Sequence, residues 1–395
     1  MRYKIETERV DLFDTNILIT MEVSLKAEVP MALLEAAFKK AVASHEVLNS
    51  KIIIEPSGEA YYVDNDSPRS FISETSLTLS ELINENERKR FRIEEGEFIR
   101  AFVCAENIVF MMHHIAGDGK SLLYFIETFM KCLSGEDVEY QAFRSLGLKD
   151  LPAESKMPLF YRVYTKSVNR KWERVKRVFT FGDLEQAYAK FWGGRRTKVE
   201  LKRYGREELA SLLASAKSAG VSLTSYIITD MIKDSGRKMD VGLAVDGRFD
   251  KNRSMGNQAT GISVEYKYNV SKSFDENARA VQSLMKKKLD NDVYRYFVLQ
   301  FMGLLDDTLK DAMNLERAEY FTSKASAGVA EALGYGKKVK DISITNLTRV
   351  DIPLVYGDYE ISEIAFVPPI VAYGKNIYGI VTTGDVMTVA RHIYE

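Results

Sequence analysis

The stretch 107–133 constrains this chain most, because an apolar β-forming run passes through a short histidine- and glycine-containing loop straight into an amphipathic helix. NIVFMM (107–112) has strand composition, and His113, His114, Ile115, Ala116, Gly117, Asp118 and Gly119 follow it. Leu122, Phe125, Ile126, Phe129 and Met130 then recur at helical spacing. A strand turned so tightly into a helix is a unit of an α/β fold, and the same alternation continues on both sides.

Upstream, the pattern predicts a strand over 17–25 and a helix opened by Pro30. It then predicts a hairpin of 51–54 with 61–63 around Pro56-Ser57-Gly58, and a mostly exposed helix over 79–91. A strand pair, 98–105 with 107–112, is expected to turn at Glu106-Asn107. Downstream, a helix within 216–233 has Ser222 or Thr224 as its N-cap. Strands are predicted over 241–249 and 261–270, helical character over 274–335, and strands over 342–347, 352–356, 360–367, 376–384 and 386–392.

Between these halves, residues 156–198 are predominantly basic, and Phe160, Val163, Tyr164, Trp172, Val175 and Phe179 predict an amphipathic basic helix ahead of Gly193-Gly194. The predicted organisation is an N-terminal lobe 1–155, a basic crossover linker 156–198 and a C-terminal lobe 199–395. The basic stretch is either a solvated linker or a surface for CoA phosphates, a carrier protein or, through 159–179, an anionic membrane.

Charge and cysteine usage narrow the function classes. Lys+Arg 55 against Asp+Glu 56 leaves a net charge of −1, which gives no bias toward nucleic acid. Cys104 and Cys132 cannot form a disulfide framework. MRYKIETERVDLFD lacks the apolar region of a signal peptide, and no uninterrupted apolar run approaches the roughly 18 residues of a membrane span. The expected location is the cytoplasm.

The chemistry centres on the histidine loop. A nucleotide-binding loop ending in DGKS would need glycine where His114 stands. A metal site would need a third ligand, and none lies nearby at the usual spacing. Successive strand side chains point to opposite faces, so one histidine can enter a cleft while the other faces structure. An imidazole of pKa ~6.5 can then accept a proton from an alcohol, amine or thiol. The alternative is that the pair fills a loop core.

The complete heptad 113–119 resembles HHxxxDG, the motif of the chloramphenicol acetyltransferase-like superfamily, which includes condensation domains of nonribosomal peptide synthetases, alcohol acetyltransferases and polyketide-associated acyltransferases. FRIEEGEFIRAFV (91–103) resembles that superfamily's approach to the motif strand. The DFGWG element of the plant branch is absent, which argues against that branch.

This resemblance implies a two-lobed α/β fold, mixed sheets flanked by helices, with an active-site tunnel between the lobes. It implies His114 as general base, His113 in a more structural role, Asp118 bracing the loop and Gly119 keeping the thioester channel open. Arg248, in VDGRF, resembles the position that forms a structural salt bridge with Asp118. ISITNLTRVD (342–351) resembles the tunnel-lining region, with Thr345, Asn346 and Thr348 as oxyanion candidates.

The implied activity is transfer of an acyl group from an acyl thioester to a small-molecule hydroxyl or amine acceptor. No permanently bound cofactor or metal is expected; coenzyme A thioester or a phosphopantetheine arm serves as co-substrate. No carrier or adenylation segment is recognisable, so a free-standing acyl-CoA enzyme is the first reading. A stand-alone condensation enzyme using an acyl or peptidyl carrier protein and a non-catalytic binding relative are the alternatives.

Overall fold

The computed structural model describes residues 2–249, 252–332 and 339–395; the end of the helical stretch predicted over 274–335 lies outside them. Two six-stranded sheets carry the architecture. The first runs, in spatial order, Val355–Tyr356, Tyr359–Val367, Leu18–Leu25, Asn107–His113, Ile99–Cys104 and Phe71–Glu74. The second runs Ala259–Lys267, Lys238–Asp246, Ile342–Arg349, Ile377–Thr383, Val386–Tyr394 and Thr197–Tyr204. Both are mixed: Phe71–Glu74 lies parallel to Ile99–Cys104, and Ile342–Arg349 lies parallel to both its neighbours.

The first sheet holds the histidine loop. Its central strands Leu18–Leu25 and Asn107–His113 are buried along most of their length; the second reads as a nearly continuous apolar run, while the first alternates with Thr20, Glu22 and Ser24. Cys104 pairs with Asn107, so the hairpin turns on Ala105-Glu106, one residue earlier than predicted, with Ala105 at φ 51°. The helix Gly119–Leu133 packs across helix Met31–Ala43, where Phe125 meets Phe38 and Phe110 at ring-centre distances of 6.0 and 5.9 Å. Burying each such ring contributes about 1.5–3 kcal/mol.

Three local expectations change in three dimensions. Tyr359–Val367, predicted within the C-terminal lobe, pairs antiparallel with Leu18–Leu25 in the first sheet. A strand from the predicted C-terminal lobe therefore joins the sheet that holds the histidine loop. Thr197–Tyr204 forms an edge strand beside Val386–Tyr394, although TKVELKRY carries too many charges to predict as one. The predicted basic helix ends at Glu173, leaving Val175 and Phe179 in the segment that follows, and a second helix, Phe181–Trp192, comes after it. Thr180 starts the second through a capping box: its N–H donates to Asp183 at 2.8 Å, and Asp183 N–H donates back to its hydroxyl at 3.3 Å.

The helix expected to be mostly exposed over 79–91 ends at Glu87 and buries Leu82, Ile83, Asn86 and Glu87, because strand Thr197–Tyr204 packs against it. Glu87 lies 3.2 Å from His392 Nε2. An N-terminal turn is tied to a distant helix. Arg9 and Asp311, both fully buried, join the turn Thr7–Asp11 to helix Asp307–Arg317 through a 2.8 Å hydrogen bond from Nε.

Candidate active site

Strand alternation separates the adjacent histidines. His113 is buried, its Nδ1 accepts from Ile115 N–H at 3.2 Å, and its ring stands edge-on to Phe91. Burial, aided by the nearby His114, Arg90 and Arg100 charges, pushes its pKa down to about 3, so it is neutral. His114 follows the strand end; its N–H donates to Ile17 O at 3.1 Å, while its side chain retains 21% exposure. His114 Nδ1 is buried without a hydrogen-bond partner among the described residues, so the accessible edge of the ring is the one carrying Nε2.

Asp118 anchors the loop. It caps helix Gly119–Leu133, its Oδ1 accepting from Ser121 N–H at 2.9 Å, while Oδ2 accepts from Gln258 N–H at 2.9 Å. Arg248 donates from Nη1 to Oδ2 at 2.9 Å and from Nη2 to Oδ1 at 3.0 Å. Burial alone would raise the Asp118 carboxyl, but the Arg248 charge and these bonds outweigh it and hold it below the usual range. Arg248 also donates to Asp246 and to Ser121 Oγ, each at 3.0 Å.

The glycines work through close approach. A Cβ on Gly117 would stand 2.5 Å from Ser121 Cβ, so only glycine lets the loop lie against the first helical turn. A Cβ on Gly119 would stand 3.1 Å from both Leu347 Cδ2 and Phe366 Cζ. Those side chains, one from each large sheet, fill the space beside Gly119.

The three oxyanion candidates separate. Asn346 lies on the helix-facing side of its strand with Ile344; its amide donates to Thr224 Oγ1 at 2.9 Å and its carbonyl accepts from Thr348 N–H at 2.8 Å. Thr348 is exposed at the irregularity after Asn346, with φ 62°. Thr345 alternates to the face shared with Leu347, whose Cδ2 lies beside Gly119.

Sequence reasoning did not single out Asp11, Ser121, Asn257 or Gln258. Ser121 alone carried a local signal, three residues after a capping aspartate. The other two histidines are structural: His45 reaches Thr128 at 3.2 Å and burial pushes it down to about 4, while His392 faces Pro368 O and Glu87. Two cavities of about 490 and 450 Å³ lie elsewhere, the first near Glu28 and Glu74, the second between Tyr204, Tyr226 and Tyr378.

No family model matches the chain. Bacitracin synthase 2 of Bacillus licheniformis is 22% identical over 368 residues, covering 84% of this chain but 13% of that protein's length. The first condensation domain of the CDA synthetase superposes with a TM-score of 0.63 at 14% identity, covering 99% of this chain and 90% of that one. Polyketide synthase associated protein 5 from Mycobacterium tuberculosis gives 0.61 at 14%, covering 99% and 92%. A mutant starter condensation domain of rhizomide synthetase, in complex with C8-CoA and Leu-SNAC, gives 0.61 at 10%, covering 99% and 88%.

Proposed function

From the premise that this chain has the condensation-domain fold of the chloramphenicol acetyltransferase-like superfamily, we propose that it is an acyltransferase with His114 as general base. The observation that carries this reading is His114 itself, with Nδ1 buried and its opposite edge accessible, on a loop held by the Asp118–Arg248 pair.

An acyl thioester brings its carbonyl to the loop, and a hydroxyl or amine approaches His114. Nε2 takes the acceptor's proton as its oxygen or nitrogen bonds to the carbonyl carbon. The intermediate collapses, the carbon–sulfur bond breaks, and the thiolate leaves with the proton from the imidazolium. General-base action of this kind contributes about 10²–10⁴-fold. Thr345 is the side chain assigned to the developing oxyanion; His113 and Asp118 hold the base in place.

Acyl-CoA is the donor we assign first. The similarity to a segment of bacitracin synthase 2 supports a second donor, a thioester on a carrier protein's phosphopantetheine arm. Thiol release from short- to long-chain acyl-CoAs, with pooled alcohols and amines, tests both against wild type and His114→Ala. Release that requires both an acceptor and His114 is expected. A folded His114→Ala variant with wild-type turnover would sink the mechanism, and release only from a phosphopantetheinylated carrier would move the donor to the second reading.

Helix Leu159–Glu173 supports contact with an anionic bilayer. Leu159, Phe160 and Val163 are 71, 73 and 59% exposed, beside Arg162, Lys166, Arg170 and Lys171, which form no ion pair among the described residues. No helix among the described residues is long and apolar enough to cross a membrane.

A further inference from the structure

Asp11 ends the turn Thr7–Asp11 and is buried beside the histidine loop. Its Oδ2 stands 3.8 Å from His114 Nδ1 and accepts a hydrogen bond from Asn257 Nδ2 at 2.7 Å. His114 Nδ1 has no other polar partner among the described residues. A neutral imidazole carries its proton on one nitrogen only. With a carboxylate facing Nδ1, the proton is favoured there, which leaves the Nε2 lone pair on the accessible edge.

We propose that Asp11, held by Asn257, is the positioning residue for His114: it selects the Nδ1–H tautomer and stabilises the imidazolium formed when Nε2 takes the acceptor's proton. This rests on the acyltransferase reading above and deepens it. Asp11 stays ionised and takes no proton; the proton received by Nε2 leaves on the thiol sulfur. A shift of about 1 Å brings the pair to hydrogen-bond length, and such catalytic contacts commonly tighten when substrate binds.

The surroundings fit this role. Glu8 from the same turn, Asp14 just beyond it, Arg317 from helix Asp307–Arg317 and Tyr62 from the small sheet Arg2–Lys4, Ala60–Asp64, Ser50–Ile54 are the charged and titratable groups facing Asp11, and His113 is the one beside His114. Burial raises the Asp11 carboxyl, while His114, Asn257 and Arg317 pull it back down. Arg317 is itself 3.1 Å from Asp14, so its charge is shared.

Imidazole NMR provides a test that does not depend on turnover. The four histidines are labelled with ¹⁵N, and the His114 signal is assigned by its loss in His114→Ala. In wild type the neutral ring is expected as the Nδ1–H tautomer; an Nε2–H tautomer overturns the proposal even if Asp11→Asn fails to fold. In Asp11→Asn, which keeps an amide oxygen for Asn257, the His114 ring is expected to lose its preference for the Nδ1–H tautomer. The kcat is expected to fall, by up to the roughly 10²–10⁴-fold that a general base contributes, with KM little changed.

If His114→Ala abolishes transfer while Asp11→Asn keeps the wild-type tautomer and kcat, the pairing fails and the acyltransferase reading stands. If wild type transfers no acyl group from any donor but the tautomers of wild type and Asp11→Asn are as stated, the pairing stands and the acyltransferase reading fails.

Discussion

Asp118 and Arg248, 130 residues apart in the chain, meet in two hydrogen bonds of 2.9 and 3.0 Å with both side chains almost wholly buried. This pair joins the histidine loop to the end of strand Lys238–Asp246 in the second sheet. Asp118→Asn leaves the Arg248 charge buried with its main counter-charge gone, a loss of about 3–5 kcal/mol for such pairs. Arg248→Lys keeps the charge but not the paired donors, and is expected to restore little. The Asp118 carboxyl lies below its unfolded value, so its stabilisation is present above the unfolded pKa and lost as pH falls through the folded one. Urea unfolding of wild type and Asp118→Asn from pH 7 downward should therefore converge in acid; a constant difference would contradict this.

Glu8 gives the opposite sign. It is buried, and burial first, with the Asp11 charge adding, pushes its carboxyl up to about 7. A raised carboxyl contributes stability that is present below the unfolded pKa and lost as pH rises through about 7. Glu8→Gln keeps an oxygen to accept from Thr7 Oγ1 and removes the ionisation. Its thermal midpoint is expected to exceed that of wild type at pH 8 and to match it at pH 4. A variant less stable at both values would contradict the assignment.

The Leu347 and Phe366 side chains lie beside Gly119, where an acyl channel is expected. Leu347→Ala removes one wall, at a cost of about 2–5 kcal/mol for a buried leucine. The ratio of kcat/KM for long- over short-chain acyl donors is expected to rise. Gly119→Leu, whose side chain must displace both neighbours, is expected to abolish transfer while the loop pair Asp118–Arg248 remains. Unchanged donor preference in Leu347→Ala would place the channel elsewhere.

Helix Leu159–Glu173 combines exposed Leu159, Phe160 and Val163 with cations lacking partners among the described residues. Co-sedimentation with phosphatidylglycerol vesicles is expected, weakening in 1 M salt, where the screening length falls to about 3 Å. Phe160→Ser with Leu159→Ser should abolish it, whereas uncharged phosphatidylcholine vesicles should bind neither protein. Equal binding by wild type and the double variant would remove the bilayer contact.

The sequence by itself determined the strand 107–113, the turn through Gly117 and the helix Gly119–Leu133, because side-chain period and steric freedom act within a few residues. The same alternation turned His113 inward and placed His114 at the strand end with an accessible edge. Packing of distant segments decided the rest. Tyr359–Val367 reads as a strand in isolation, yet only pairing with Leu18–Leu25 puts it in the first sheet and brings Phe366 over Gly119. Thr197–Tyr204 is an edge strand whose charged residues hide its period, and Asp11 belongs to a short turn with no local signal. Their places follow from long-range contacts, which bury groups such as His114 Nδ1 and Asp11 together and leave no trace in the spacing of neighbouring residues.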